Sequence, residues 1–257
     1  MIEVKNLVKE FEDKQVLKGI STIFKSATTN LIIGKSGAGK TVLLKSLIGL
    51  VTPTSGEILF DGEGILQFDK EKRKQLYRKM GVMFQGSALF DSMTVLENVQ
   101  FPLDMFLRKP LKTRRSIAQE YLKKVGLADA AAKYPSEISG GMMKRAAIAR
   151  ALVTRPKYLF CDEPNSGLDP KTGGQIDQLI HDLTKEFEVT TIINTHDMNS
   201  VMNMGENIVF IKEGVKEWQG TKEQVVSSNN KALNDFIFAS DLLRKASELE
   251  EQQLREG

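Results

Sequence analysis

The sequence has a single cysteine, Cys161, so an internal disulfide is excluded. Cys161 lies inside the apolar segment 158–161, and free cysteines in such segments are commonly buried in folded proteins. We therefore predict a buried, unreactive thiol in a protein of a reducing compartment.

The sequence also lacks a large excess of charge of either sign. Lys and Arg number 36 against 33 Asp and Glu, which gives a net charge of +3. Domains that bind nucleic acid concentrate basic residues far more strongly, so the composition indicates no nucleic-acid partner. We interpret the lysine-rich stretch 70–79 as a solvated face.

Long apolar runs are absent as well. No run approaches the roughly 18 residues that a membrane-spanning helix needs. Residues 1–5 lack the basic and then apolar pattern of a secretory signal. From these features we expect a cytoplasmic chain whose role at a membrane, if it has one, depends on a partner.

The apolar pattern that is present predicts an α/β fold. Alternating apolar residues indicate half-buried strands, and short continuous apolar runs indicate buried ones. The predicted elements are antiparallel strands over 2–23, a buried strand at 31–33, a helix at about 41–50, a helical region at 85–135, and strands at 158–161, 190–194 and 208–211. We expect an α/β core with a helical subdomain inserted at about 86–149.

The end of the chain predicts further helix. Thr221 and Gln224 form a capping-box pattern, and apolar residues recur at helical spacing over 233–249. Such a tail needs a surface on which to pack. We assign 1–221 to one domain and 222–257 to a C-terminal helical extension, whose charged end is either a solvated helix or a clasp for a second copy.

Residues 34–41 have the Gly-Lys-Ser-Gly-Ala-Gly-Lys-Thr pattern of a phosphate-binding loop. In such a loop consecutive backbone N–H groups converge on phosphate oxygens at the start of a helix, where the helix dipole also favours anions. Lys40 would place a positive charge at the β and γ phosphates, and the Thr41 hydroxyl would be a Mg²⁺ ligand. The candidate nucleotide-binding residues here are Gly34, Lys35, Ser36, Gly37, Ala38, Gly39, Lys40, Thr41 and Val42.

An acidic pair, Asp162 and Glu163, ends the apolar strand predicted at 158–161. Ligands of open α/β sheets bind beyond the C-terminal ends of the strands, so we expect both carboxylates near the phosphates. Asp162 is predicted to hold Mg²⁺ through water, and Glu163 to act as the general base on the attacking water. The alternative is a solvated acidic turn before Pro164, which the phosphate-binding loop disfavours.

A second glycine turn, Ser139-Gly140-Gly141, precedes the apolar segment 142–153. This segment predicts a helix that is buried on most sides and whose N-terminus is a second anion site. Its expected exposed residues are Lys144, Arg145 and Arg150. Two phosphate-binding turns with one acidic pair fit a protein in which one copy completes the site of another. A glycine cap between two helices is the alternative.

Three single residues are further candidates, each with a plainer alternative. His196 follows the strand at 190–194 and could hydrogen-bond the γ-phosphate, or simply lie at the start of a helix. Gln85 could reach Mg²⁺ or the attacking water, or be a surface glutamine. Phe11 could stack on adenine or belong to the core.

Taken together, these residues resemble the nucleotide-binding subunit of ABC transporters over about 1–221. The family's elements occur in order: the adenine-stacking aromatic (Phe11), Walker A (34–41), the Q-loop (Gln85), the signature (138–142), Walker B (Asp162 and Glu163), the D-loop (166–169) and the switch histidine (His196). The resemblance implies a RecA-like P-loop ATPase core with an antiparallel β subdomain and an inserted helical subdomain. It also implies ATP and Mg²⁺ as ligands, with Gln85 and Asp162 near the metal and Glu163, His196 and Gln85 in catalysis.

The resemblance implies partners as well. In this family two subunits pack head to tail, each ATP lies between Walker A of one copy and the signature of the other, and closure drives a membrane permease. Segment 89–103 is similar to the part of importer-type ATPases that lines the groove for a transmembrane coupling helix. The implied protein is an ATP-dependent homodimer, bound to permease subunits on the inner face of the cytoplasmic membrane.

Met142 departs from the family, which usually has glutamine at this position of the signature. A thioether is a weak hydrogen-bond acceptor, so any polar contact of that glutamine is lost, whereas Ser139 and the glycine N–H groups remain. This variant, together with segment 86–90, is similar to the ATPases of MCE-associated phospholipid transporters of the Mla (maintenance of lipid asymmetry) type. The similarity implies phospholipid transport in the bacterial envelope and an MCE-domain lipid-binding protein as a partner.

Two other classes remain open at the level of the sequence. A soluble ABC ATPase of iron-sulfur cluster assembly or nucleic-acid maintenance would need no permease. The single ATPase unit and the short insert disfavour the translation factors and the repair ATPases with long coiled coils. A GTPase or a P-loop kinase would need an Asn-Lys-x-Asp element or a phosphate-acceptor lid, and neither is evident.

Overall fold

The computed structural model describes residues 1–12 and 14–237. The strands of this part are β1 (Ile2–Phe11), β2 (Lys14–Phe24), β3 (Thr29–Ile33), β4 (Ser55–Phe60), β5 (Glu63–Gly64), β6 (Met80–Met83), β7 (Tyr158–Asp162), β8 (Thr190–Thr195), β9 (Asn207–Lys212) and β10 (Val215–Gly220). Its α-helices are α1 (Lys40–Leu47), α2 (Lys70–Arg78), α3 (Val95–Phe106), α4 (Leu111–Lys124), α5 (Gly140–Leu152), α6 (Pro170–Glu186), α7 (Met198–Met204), α8 (Lys222–Val226) and α9 (Lys231–Ile237). Short 3₁₀ turns occur at Ile65–Gln67, Ala128–Ala130 and Pro135–Glu137.

The main sheet has the strand order β10-β9-β3-β8-β7-β6. All its pairs are parallel except β10 with β9. In this register Ile33 lies opposite Thr195, and Asp162 lies opposite Asn194. The segments that follow β3, β7 and β8 therefore start at one edge of the sheet, and these segments carry the glycine loop, Glu163 and His196.

A smaller antiparallel sheet has the order β2-β1-β4-β5. Its apolar side chains pack on one face of the main sheet, where Ile32 and Phe160 belong to the same cluster as Phe24 and Phe60. Leu31, which alternates with Ile32 along β3, faces the opposite side and the buried helices there. The parallel strands are thus covered on both faces, as their continuous apolar sequences predict.

The helical region between β6 and β7 packs α3, α4 and α5 together, with Tyr121, Leu122 and Ile148 fully or almost fully buried among them. Helix α3 starts at a capping box, in which Thr94 Oγ1 accepts from Glu97 N at 3.2 Å and Glu97 Oε2 accepts from Thr94 N at 2.8 Å. This capping fixes where the chain leaves the loop that follows β6.

The structure confirms the predicted fold class, an α/β core accompanied by an antiparallel sheet and inserted helices. The helix expected at about 41–50 begins at Lys40 and ends at Leu47, because Gly49 adopts φ 76 and turns the chain away. The sequence analysis did not identify β4, β5 or β10. Stretch 70–79 forms α2, in which Leu76 is the buried residue, so the interpretation as a solvated face holds.

Helices α8 and α9 follow the last strand. Thr221 N donates to Gln224 Oε1 at 2.9 Å at the start of α8. Leu233 is buried, and the ring of Phe236 lies 5.3 Å from that of Phe210 at the end of β9. The described part of the tail thus packs on the main sheet, whereas the charged end for which we considered a clasp lies outside the described residues.

Cys161 is fully buried, as predicted, and both burial and the neighbouring Asp162 carboxylate raise the pKa of its thiol, which disfavours the reactive thiolate. In the part of the chain that the structure covers, no helix combines the length and the apolarity needed to cross a bilayer.

The packing of β6 against α5 generates a stability prediction. A Cβ atom on Gly81 would lie 2.1 Å from the carbonyl oxygen of Ala151, which is backbone and cannot rotate away. We expect Gly81→Ala to lower the free energy of unfolding by about 1–3 kcal/mol, as other overpacking changes do. Thermal melting monitored by circular dichroism should then show a fall of several degrees, at about 2–4 °C per kcal/mol.

Gly174 provides the matched control for that change. A Cβ on this residue of α6 meets no atom within 4 Å, so Gly174→Ala should leave the melting temperature unchanged or raise it slightly. Equal melting temperatures for the two variants would contradict the close packing of β6 on α5.

Candidate nucleotide-binding site

The glycine loop connects β3 to the start of α1. Gly34 has φ 151, and a Cβ there would lie 2.2 Å from the carbonyl oxygen of Ile211, so only glycine fits. Ala38 N donates to Lys35 O at 3.2 Å and Gly214 N donates to Ala38 O at 3.0 Å, which ties the loop to the turn after β9. The loop is thereby fixed as a tight turn at a helix N-terminus, the geometry that binds phosphate.

Lys40 is the first residue of α1 and is only 5% exposed. Its Nζ donates to Gly34 O at 2.8 Å and to Lys35 O at 3.2 Å, so the ammonium folds back over its own loop. Burial lowers the pKa of this ammonium, and the carboxylates of Glu163 and Asp162 oppose that shift. A phosphate entering the loop would meet a partly desolvated cation, which is worth more than one in water.

Asp162, the last residue of β7, is buried and faces the start of α1. Its Oδ1 accepts from Asn194 Nδ2 at 3.0 Å and from Thr41 Oγ1 at 3.3 Å. Carboxylate and hydroxyl oxygens are the ligand types that Mg²⁺ prefers, so these two residues fit that ion. Among residues 1–12 and 14–237 no group of three or more His, Cys, Asp and Glu forms a protein-only metal cage, so the nucleotide and water would supply the other ligands.

Glu163 follows β7 with φ 48, an uncommon conformation for a residue other than glycine, and its N–H donates to Asn194 O at 3.0 Å. Its Oε2 accepts from Gln85 Nε2 at 3.2 Å, and its Oε1 lies 3.1 Å from Nδ1 of His196. The structure therefore brings together Gln85, Glu163 and His196, the three residues that the sequence analysis placed in catalysis. His196 is 60% exposed at its side chain, whereas Glu163 is 20% exposed.

The loop after Gln85 is anchored to α5. Arg150 donates from Nη1 to Ala88 O and from Nη2 to Ser87 O, both at 2.7 Å. A guanidinium that holds two successive carbonyl groups fixes the loop in one orientation, which a single hydrogen bond would not do. The loop after Gln85 is thus hydrogen-bonded directly to the helix that follows the second glycine turn.

The prediction that Lys144 is an exposed residue of α5 is wrong. Lys144 is 5% exposed, and its Nζ lies 3.4 Å from Ser166 Oγ, in the loop after Glu163. Burial lowers the pKa of Lys144, while the Glu163 carboxylate opposes the shift. Helical spacing could not reveal this, because the partner of Lys144 lies on a loop 22 residues further along the chain.

Ser139 caps α5, since its Oγ accepts from Met142 N at 3.3 Å, and it is exposed. Gly141 adjoins the first turn of α6, because a Cβ on Gly141 would lie 2.9 Å from the Thr172 methyl group. Among the described residues, no hydrogen bond joins Ser139 to the cluster around Lys40 and Glu163. Within the described part of one copy, the two glycine turns are therefore not joined by hydrogen bonds.

Phe11 lies at the end of β1 and is 42% exposed, so it is not a core residue. Lys9 Nζ lies 4.6 Å from the centre of its ring. An exposed ring face of this kind can stack on a planar base.

Asn194 is a site residue that the sequence analysis missed. It is buried in β8, and it contacts the Asp162 carboxylate through its side chain and Glu163 through its backbone oxygen. An amide inside the apolar run Thr190–Thr195 was the available signal, because a buried polar side chain needs a partner.

This arrangement can bind and hydrolyse a nucleoside triphosphate. The loop and Lys40 offer donors and positive charge to phosphate oxygens, and Thr41 and Asp162 would offer oxygens to a Mg²⁺ ion bound with the nucleotide. Mg²⁺ neutralises charge on the phosphates when it is bound. Glu163, held from both sides by Gln85 and His196, is a carboxylate placed to accept a proton from water.

Comparisons with known proteins agree with this chemistry. The sequence profile of the family described as "ABC transporter" matches residues 17–166, more than half of the chain. The chain is 37% identical over 236 residues to a probable ribonucleotide transport ATP-binding protein, Mkl, of Mycobacterium leprae, covering 92% of this chain and 68% of that protein. It is 36% identical over 237 residues to the intermembrane phospholipid transport system ATP-binding protein MlaF of Haemophilus influenzae, covering 92% of this chain and 90% of that protein.

A third relative is the methionine import ATP-binding protein MetN of Carboxydothermus hydrogenoformans, 40% identical over 219 residues, which cover 83% of this chain and 64% of that protein. The chain thus spans about two thirds of the mycobacterial and methionine-import relatives and nine tenths of the Haemophilus one. All three relatives carry the description "ATP-binding", so the comparisons do not favour a GTPase or a kinase.

Solved structures resemble the fold over most of its length. The dimeric ATP-binding cassette MJ0796 in a post-hydrolysis state with ADP and Pi gives a TM-score of 0.78 at 33% identity, covering 86% of this chain and 99% of that one. CbiO1 from Clostridium perfringens, part of an ABC transporter complex, gives 0.82 at 31% identity, covering 97% and 98%. With the site geometry and the family match, these findings show that the chain belongs to the ABC transporter family, as an ATP-hydrolysing subunit.

Proposed function

We propose that this subunit drives a phospholipid transporter of the bacterial envelope from the inner face of the cytoplasmic membrane. The relatives carry names for three different transported molecules, so their names alone do not decide among them. The main observation in favour of phospholipid is length: the match extends over 90% of the phospholipid-system relative, against 68% and 64% of the other two. Met142 in the signature supports the same proposal.

An apolar groove beside the Gln85 loop supports docking of a permease. Its lining includes Phe84, Ala88, Phe90, Phe101, Pro102 and Phe106. Three of these aromatic residues are unusually exposed, with Phe84 at 38%, Phe90 at 41% and Phe106 at 40%. A concave apolar surface that borders a catalytic loop suits an amphipathic helix of a membrane partner. An MCE-domain protein would then join through the permease.

The residue roles that we propose follow from the site. Lys40 and the loop N–H groups bind the β and γ phosphates, Glu163 is the general base, and Gln85 and His196 hold its carboxylate. Ser139 and the glycines after it bind the γ-phosphate held by a second copy, which fits the lack of a hydrogen bond between Ser139 and Lys40 among the described residues. Phe11 stacks on adenine.

The transported molecule can be tested by purification from native membranes and reconstitution. We expect this chain to co-purify with a multispanning permease, and phospholipid to stimulate ATP turnover of the complex in vesicles. Methionine and ribonucleotides added to the same vesicles are the controls. Recovery with soluble scaffold proteins only would favour the soluble ATPase class, and stimulation by methionine or ribonucleotide would contradict the phospholipid proposal.

Glu163→Gln should separate binding from hydrolysis. The amide has the size of the carboxylate but cannot take a proton from water, so ATP should still bind while turnover falls by about 100-fold or more. Phosphate release measures the loss, and size-exclusion chromatography with ATP should show a persistent dimer. Turnover near the unmodified rate would assign the base to another residue.

Lys40→Ala should instead abolish ATP binding, since the phosphates lose their main buried cation. Equilibrium binding of a fluorescent ATP analogue provides the measurement. Lys45→Ala, which removes a partly exposed lysine from the same helix, is the matched control and should bind as the unmodified protein does. Equal affinities for the two variants would contradict the role of Lys40.

Phe106→Asp should weaken permease capture without changing basal turnover, because it places a charge in the apolar groove and lies outside the nucleotide site. Leu50→Asp is the control, since Leu50 is 61% exposed and does not line the groove. The amount of permease recovered with each variant is the readout. Undiminished recovery with Phe106→Asp would place the docking surface elsewhere.

A further inference from the structure

A buried cluster of polar side chains adjoins the segments that carry Glu163 and His196. None of its members has a role in the function proposed for the nucleotide-binding site. The cluster joins Asn165 from the loop after β7, Asp177 from α6, and both Asp197 and Ser200 from the start of α7. Asp177 is 1% exposed and Ser200 is fully buried. We call these four residues the polar clamp.

The hydrogen bonds of the polar clamp form a relay across the three elements. Asn165 Nδ2 donates to Ser200 Oγ at 2.8 Å and to Asp197 Oδ2 at 3.2 Å. Ser200 Oγ in turn donates to Asp177 Oδ2 at 2.6 Å. Both N–H groups of the Asn165 amide and the hydroxyl proton of Ser200 thus have acceptors. Asp177 Oδ2 also lies 3.5 Å from Asn165 Nδ2.

Two members of the polar clamp are close in sequence to Glu163 and His196, which contact each other in the catalytic site. Asn165 is two residues after Glu163, and Asp197 directly follows His196. Asp197 also fixes the backbone after His196, because its N–H donates to Thr195 Oγ1 at 3.0 Å and its Oδ1 accepts from Asn199 N at 2.9 Å. The relay therefore sets the separation of the two segments that place Glu163 Oε1 and His196 Nδ1 3.1 Å apart.

We propose that the polar clamp aligns Glu163 with His196 for ATP hydrolysis, and that Asp177 is its central positioning residue. The proposal rests on the roles proposed above for those two catalytic residues. Among the described residues, Asp177 has hydrogen bonds to Ser200 and Asn165 and none to Glu163 or His196. It acts through Ser200 and Asn165, whose loop and helix it holds against α6.

Burying the carboxylate of Asp177 costs free energy, which supports a functional role for this residue. One of its oxygens, Oδ1, has no hydrogen-bond partner among the described residues. Burial raises the pKa of Asp177 to about 6, the nearby Asp197 carboxylate adds to the rise, and the hydrogen bonds from Ser200 and Asn165 oppose it. Asp197 is the charged group that acts on Asp177 from α7, while the loop after β7 contributes only the neutral Asn165.

The sign of this shift gives a stability prediction. A carboxyl group whose pKa is higher in the folded than in the unfolded state binds its proton more readily when folded, so it destabilises the fold increasingly as pH rises between the two pKa values. Removing the ionisable group should therefore raise the melting temperature most at about pH 8 and least at about pH 4. A merely structural carboxylate that stabilised the fold would give the opposite result.

The test compares Asp177→Leu, Asp177→Asn and Ser200→Ala in the full chain, with Asp182→Leu as the matched control because it removes an exposed carboxylate from the same helix. ATP turnover and melting temperature are measured for each. We expect Asp177→Leu and Ser200→Ala to lower kcat about 10-fold with KM for ATP within about twofold, the pattern of a lost alignment. Asp177→Leu should melt at or above the temperature of the unmodified chain at about pH 8.

Asp177→Asn keeps an oxygen that can accept from Ser200, so it should recover most of the kcat lost in Asp177→Leu. Full kcat in both Asp177→Leu and Ser200→Ala would overturn the proposal, as would a kcat for Asp177→Asn no higher than that for Asp177→Leu. A parallel loss of kcat, ATP affinity and melting temperature would show a purely structural role. If Glu163→Gln is inactive while the clamp variants are fully active, the proposal for the polar clamp is refuted and the assignment of Glu163 as general base stands.

Discussion

The parallel register of β3, β8 and β7 is the constraint on which the site depends. It sets Asp162 beside Asn194 and Ile33 beside Thr195, so that three loops leave the sheet at the same edge. The glycine loop, Glu163 and His196 are then brought together by the sheet and not by any local sequence preference. A shift of one residue in that register would turn every side chain of the shifted strand to the opposite face and separate Asp162 from Thr41.

Buried charges also shape the site that the strand register brings together. Lys40 is desolvated and lies in the field of two carboxylates, and Lys144 reaches the same region from α5. These buried cations and anions compensate one another, and phosphate can exchange with the backbone carbonyl groups that now hold Lys40. Among the described residues, Ser139 has no hydrogen bond to this cluster, and the proposed function assigns it to the nucleotide held by a second copy.

How much of this could be predicted from the sequence depends on how local each feature is. The phosphate-binding loop, the acidic pair and Gln85 are short patterns with their own chemistry, so the sequence analysis identified them, as it did the α/β core. Lys144 was misplaced because α5 is buried by neighbours that helical periodicity does not reveal. The polar clamp joins Asn165 to Ser200 across 35 residues, and β4 depends on pairing with β1, so neither could be read from one segment.

The central claim is that the γ-phosphate is bound from two sides, by Lys40 of one copy and by Ser139 of the other. A structure of the hydrolysis-deficient chain loaded with ATP and Mg²⁺ tests it most directly. The account predicts a head-to-tail pair in which Ser139 Oγ lies about 3 Å from a γ-phosphate oxygen held at the other copy's glycine loop. A nucleotide contacted by one copy only, with Ser139 facing solvent, would contradict it.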